Sequence, residues 1–169
     1  MTWKFLSLIA KVLPEATAYA HCDLPCGIYD PHQAQLAAHT VIRMTSIIDE
    51  MHASSENAPF EERKKIIHDL SRAAGIKDDH AEIVKHEVRV IWGDYFKPEH
   101  LEVYPNLHEL VFSIMKLASK ARQGIDMDAA NELLAKVQEF SELFWKTKNR
   151  ETVRVASGYP TGGEVVLPK

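Results

Sequence analysis

Two thiols and an imidazole stand close together near the start of the chain, in the string His21-Cys22-Asp23-Leu24-Pro25-Cys26. Thiolates are soft donors and imidazole is a borderline one, so the set suits zinc, copper, nickel or iron. A structural zinc site commonly takes four side-chain ligands as two close pairs. The second pair is missing here, which makes a bare Cys-x3-Cys a weak zinc signal. Cys22 and Cys26 are the only cysteines in the chain, and a bridge between them would close too short a loop to staple a fold. Either they are idle thiols or they act together. The spacing is not the Cys-x-x-Cys of thiol redox proteins, and no alternation of strands with helices surrounds it.

The residues before this string alter the donor count. Met1 to Ala20 reads MTWKFLSLIAKVLPEATAYA, with an early Lys, a short apolar run and an Ala18-Tyr19-Ala20 ending of the kind that is cleaved. A removable leader over residues 1–20 is expected. The plainer alternative is an amphipathic helix with Trp3, Leu6, Ile9 and Leu13 on one face. Cleavage after Ala20 would free the amine of His21. The mature N-terminus would then gather an amine, an imidazole, a backbone amide and two thiols. An amine, a deprotonated amide and two thiolates make a square plane, the geometry of nickel(II) or copper(II). The His21 imidazole adds an axial position, and Pro25 turns the chain so that Cys26 returns beside Cys22.

Such a hook must be carried by something rigid. After the turn-rich segment His21 to Pro31 the sequence reads helical throughout. Asp30 is a good N-cap and Pro31 a good first helical residue for a helix reaching His52, with Ala34, Ala38, Val41, Ile48 and Met51 as its apolar stripe. A helical pattern from Phe60 to Ala74 meets Gly75, where an end or kink is expected. A further pattern carries Val84, Val88, Ile91 and Tyr95 and stops at Pro98, and the two patterns are one interrupted helix or two. Helices follow from Pro105 to Arg122 and from Asp128 to Lys148, the last with Leu133, Val137, Phe140 and Phe144 at core spacing. Trp92, Trp145, Phe140 and Phe144 are expected in the core or at a subunit interface. His39, His52, His68, His86, His100 and His108 read as surface or capping residues, and His32, near the hook, is assigned no role. Residues 150–169, rich in Gly and Pro, read as an extended arm or a disordered end, with Val165, Val166 and Leu167 able to cover a neighbouring surface. Amphipathic helices with short loops make this an all-α protein, an antiparallel four-helix bundle with an N-terminal metal-binding hook.

The bulk numbers agree. A chain of 169 residues with 46% apolar and 26% charged residues is an ordinary globular domain. Its net charge of -4 argues against a nucleic-acid-binding surface and gives no basic patch for a membrane. No stretch reaches the roughly 20 apolar residues of a spanning helix.

The string HCDLPCGIYDP resembles the nickel hook of the nickel superoxide dismutases. Trp92-Gly93-Asp94-Tyr95-Phe96-Lys97-Pro98 and Tyr104-Pro105-Asn106-Leu107-His108 resemble that family's middle segment, and Phe144-Trp145-Lys146-Thr147-Lys148 its C-terminal end. The resemblance covers about His21 to Lys148. It implies that His21 supplies an amine and an axial imidazole, Cys22 an amide and a thiolate, and Cys26 the second thiolate, around one nickel ion per subunit. It implies that Asp23 and Tyr29 line the approach to the metal, with Tyr95 near the mouth. The implied reaction is disproportionation of superoxide to hydrogen peroxide and dioxygen through nickel(II)/nickel(III) cycling, in a homohexamer. The domain is then 21–149, with the hook at 21–31, the helices at 31–149 and a tail at 150–169. A maturation peptidase would remove the leader. Thiolates must be reduced when the metal is loaded, which favours the cytoplasm, with export through the leader as the alternative.

The chain departs from the family at two positions. The resemblance implies a Glu on the first helix that bonds the axial imidazole, and an Arg that supports it. Here those places hold Ala37 and His80. Partners of a ligating His orient it and tune its basicity. Either His80 takes over the contact with His21, or the pair has no replacement. The same hook on a chain without turnover would be a nickel or copper carrier, the competing function.

Overall fold

The computed structural model describes residues 26–169. The leader, and the metal ligands and approach residue expected at His21, Cys22 and Asp23, lie outside the described residues. Four long helices form the body: α1 (His32–Glu50), α2 (Phe60–Val90), α4 (Leu107–Gln123) and α5 (Met127–Thr147). A π-helical turn, Ile91–Tyr95, and a short helix α3, Pro98–Val103, join α2 to α4. α1 packs on α2, α2 on α4, α4 on α5 and α5 back on α1, which closes a four-helix bundle.

Sequence spacing dictates which faces close. In α5, Ala129, Ala130, Leu133, Val137, Phe140 and Phe144 recur at three- and four-residue steps and are buried. Leu107, Leu110, Val111, Ile114 and Ala118 do the same in α4. Each fully buried large side chain contributes about 1.5–3 kcal/mol of transfer free energy. Asp126 caps α5 by accepting a 2.8 Å bond from the Ala129 N–H. Asp30 accepts a 2.8 Å bond from the His32 N–H at the start of α1, so it does the capping work expected of it while the helix begins one residue later.

Gly75 neither ends nor interrupts a helix. α2 runs through it for 31 residues, because hydrogen bonds on either side and the packing of Ala73, Lys77 and Ala81 outweigh the roughly 1 kcal/mol that a mid-helix Gly costs. Lys77 is 3% exposed. Its ammonium donates to the carbonyls of Ala121 (2.6 Å) and Arg122 (2.8 Å), which puts a buried positive charge on the negative end of α4.

The tail is neither an extended arm nor disordered. Asn149 takes a left-handed conformation, φ 55°, which ends α5 as an Asn in the cap position can. The chain then forms an antiparallel hairpin of β1 (Thr152–Ala156) and β2 (Glu164–Pro168). This hairpin lies on α1 and α5. The wholly buried Gln35 reads β2 as a neighbouring strand would. Its amide nitrogen donates to the Val166 carbonyl (3.0 Å) and its oxygen accepts from the Val166 N–H (2.7 Å). From α5, Gln138 donates to the Glu164 carbonyl (2.6 Å), and Arg154 reaches back to Gln138 (3.1 Å) and Glu142 (2.8 Å).

His39 is buried, not a surface histidine. One ring nitrogen faces Thr161 Oγ1 at 2.9 Å and the other the Glu164 carbonyl at 3.2 Å. Only an N–H can satisfy a carbonyl, so Nε2 carries the proton and Nδ1 accepts from Thr161. Gly163, at φ 72°, brings the hairpin against this ring, where a Cβ would sit 3.4 Å from His39 Cε1.

Burial holds the His39 pKa below its ordinary value, partly offset by the bond to Glu164. The neutral ring therefore stabilises the docked hairpin fully above about pH 6.5. That contribution is lost as pH falls below 6.5, because the undocked chain takes up a proton that the docked one refuses. The Val166 amide should lose hydrogen-exchange protection between pH 7.5 and 5.5, and His39→Gln should remove most of that pH dependence.

Candidate metal and substrate site

The described part of the hook, residues 26–30, leads into α1 without helix or strand. Cys26 and Ile28 are exposed and Gly27 has φ 72°. Pro31 is buried and Tyr29 half-buried against the core. Tyr29 and Pro31 thus anchor a segment whose thiol-bearing end lies in water.

Tyr29 meets Tyr95, with ring centroids 5.7 Å apart. Tyr95 owes its position to the π turn. The Phe96 N–H reaches back five residues to the Ile91 carbonyl at 3.3 Å, and the helix cannot continue because Pro98 lies just ahead. Lys97 is extended, as a residue before proline tends to be, and Pro98 opens α3 at a position suited to it. π turns are rare and often occur at functional sites. This one leaves Trp92 at the surface, where its N–H donates to His108 Nδ1 at 3.0 Å. Trp92 is therefore 38% exposed and lies outside the core of this chain, the first of the two places expected for it.

Tyr95 points inward. Its ring packs against Phe144 at 4.9 Å and Phe96 at 5.2 Å and stacks on His100 at 5.6 Å. Its hydroxyl lies 2.8 Å from Thr147 Oγ1. The Lys148 ammonium sits over three rings, 4.9 Å from the Phe144 centroid, 5.3 Å from Tyr95 and 5.8 Å from Trp145, a cation–π arrangement.

The structure thus brings together two of the residues expected to serve the site, Tyr29 and Tyr95, and places Cys26 three residues from Tyr29. Sequence reasoning assigned no role to Thr147, Lys148 or His100. Thr147 and Lys148 do belong to the C-terminal string that carried the resemblance, which is the signal that could have found them. Ala37 is 1% exposed within the apolar core and offers the hook no polar atom. His80 Nδ1 bonds the Ile76 carbonyl of its own helix at 2.8 Å. Among the described residues no group of three or more His, Cys, Asp and Glu side chains is gathered to hold a metal.

Comparison with known proteins accounts for this arrangement. The solved native structure of a nickel superoxide dismutase superposes with a TM-score of 0.65 at 38% identity, covering 76% of this chain and 99% of that one. The apo form of a nickel superoxide dismutase gives 0.62 at 34% identity, over 73% and 99%. The fold is therefore that of a nickel superoxide dismutase helix bundle. The superoxide dismutase [Ni] of Streptomyces coelicolor is 39% identical over 135 residues, 80% of this chain and 93% of that protein, and that of Streptomyces seoulensis is 38% identical over the same shares. Residues 16–148 match the family described as nickel-containing superoxide dismutase, and the chain belongs to that family. The hairpin at 152–168 lies beyond the matched residues.

Tyr95→Phe deletes the 2.8 Å bond to Thr147 and leaves the ring packing intact. It should cost about 1 kcal/mol, the net worth of one such bond, read as a lowered midpoint in urea unfolding with an unchanged slope.

Proposed function

We propose that this protein is a nickel-dependent superoxide dismutase whose metal is held by the first residues after its leader. It disproportionates superoxide to hydrogen peroxide and dioxygen. The observation that carries this reading is the hook string HCDLPCGIYDP at the head of a chain that belongs to the family. The donor chemistry fits nickel. The amine and imidazole of His21, the amide and thiolate of Cys22 and the thiolate of Cys26 would hold the ion through nitrogen and sulfur donors, a set that suits nickel. When bound there, the metal supplies the one-electron couple that serves both halves of the reaction.

The rest falls to the chain. Two protons are consumed for each peroxide formed, so hydroxyl groups must stand at the metal. Tyr29 and Tyr95 place a pair of them there to hold and orient the proton-bearing groups, with Asp23 at the approach. A net charge of -4 repels an anionic substrate, whereas Lys148 above Tyr95 supplies local positive charge where the anion must arrive. His80 is bonded to its own helix and Ala37 is sealed in the core, which supports a His21 imidazole held without the family's Glu and Arg. The leader must be removed, because Ala20 otherwise blocks the His21 amine. We place loading and action in the cytoplasm and the working assembly as a homohexamer.

Superoxide consumption by a chain beginning at His21 and loaded with nickel tests the function directly. Fast loss that disappears on nickel removal is expected. Cys26→Ser and the uncut chain should lose both tight nickel binding and activity. Tight binding without turnover in the cut chain would instead make the protein a carrier. Lys148→Gln should lower kcat/KM by roughly threefold to tenfold at low salt and flatten its decline with ionic strength.

A further inference from the structure

Tyr95 and Thr147 are joined by a hydrogen bond whose direction can be read from its surroundings. Thr147 Oγ1 lies 2.6 Å from the Phe144 carbonyl, which can only accept. A threonine hydroxyl has one hydrogen, and that carbonyl takes it. The 2.8 Å contact between Tyr95 and Thr147 then has the phenol as donor and Thr147 as acceptor. The chain of bonds runs from Tyr95 to Thr147 to the Phe144 carbonyl in the last turn of α5, and each member polarises the next.

We infer that Thr147 is a positioning residue for the dismutase reaction, which fixes the Tyr95 hydroxyl as a hydrogen-bond acceptor toward the hook. This rests on the reading that places Tyr95 at the metal site. With its own proton committed to Thr147, Tyr95 offers only lone pairs to whatever stands beside it. Any hydrogen-bond partner that approaches the Tyr95 oxygen from the hook must therefore be a donor. Tyr95 thus orients a donor without being one. The ring has no freedom to reverse this. Phe144, Phe96, His100 and Tyr29 surround it, and Thr147 sits on the same helix as Phe144, one turn on.

Two substitutions separate this role from packing. Thr147→Val keeps the shape and the branched Cβ but removes the acceptor, whereas Thr147→Ser keeps the hydroxyl. In nickel-loaded protein cut before His21, Thr147→Val should lower kcat on the order of tenfold, less than the 10²–10⁴ typical of losing a proton-transferring group itself. Thr147→Ser should stay within about twofold of the parent. In the metal-free protein, the Tyr95 hydroxyl proton, followed through the hydrogen isotope effect on its 13Cζ resonance, should exchange with water faster in Thr147→Val and at the parent rate in Thr147→Ser. Equal loss of kcat in both variants, or unchanged proton exchange in Thr147→Val, would overturn the inference. Tyr95→Phe distinguishes the two failures. If it is slow while Thr147→Val is normal, the positioning role alone is wrong. If it is fully active, Tyr95 does not serve the site and the inference falls with that reading.

Discussion

The packing of Tyr95 is the constraint on which the site depends. Three separate stretches of chain meet at this one ring: the hook through Tyr29, the end of α2 through the π turn, and the end of α5 through Phe144, Thr147 and Lys148. None of these stretches is positioned by its own local structure. The described part of the hook has neither helix nor strand, the π turn is a poor helix, and the last turn of α5 is where a helix frays. Each becomes definite because an aromatic ring with roughly 150–250 Å² to bury gives the others a surface. The bundle behind them supplies rigidity, and the ring turns that rigidity into a fixed place for Tyr29.

The helix ends around this ring also show how electrostatics is distributed. Lys77 spends a fully buried ammonium on the carbonyl end of α4, where burial would be costly without such partners. Lys148, also near a helix end, is held over aromatic faces instead. One lysine is consumed by the fold, and the other lies half-buried over the ring that Tyr29 meets.

Much of the fold was legible in the sequence, because helix cores repeat every three or four residues and Leu133, Val137, Phe140 and Phe144 follow that rule. Legibility failed where a local preference competed with a distant partner. Gly75 is a helix breaker by propensity, yet its neighbours Ala73 and Lys77 have tertiary contacts that hold the helix. The tail reads as loop because Gly158, Pro160, Gly162 and Gly163 crowd its middle. Those residues are the turn of a hairpin whose strands, Thr152–Ala156 and Glu164–Pro168, are too short to announce themselves. His39 and Gln35 could not be recognised as clasps, since their partners lie more than 120 residues away. For the site, residue type and order in HCDLPCGIYDP are the whole basis for the expected donors. The role proposed for Thr147 depends on a bond direction, which no spacing rule encodes.

The hairpin bears on how this sequence came to be written. Lys169 bonds back to Glu151 at 2.9 Å, so the segment leaves α5 and returns to the same place, and a stop codon after Asn149 would excise it without cutting the bundle. Such a truncation would still not be silent. Gln35, His39 and Gln138 spend polar atoms on Val166, Glu164 and Thr161, and they would lose those partners at once. Three positions on two helices thus depend on partners that lie much further along the chain. The bundle and its appendage satisfy one another's polar groups, and a chain without the hairpin would leave the buried Gln35 and His39 unpaired unless they were replaced as well.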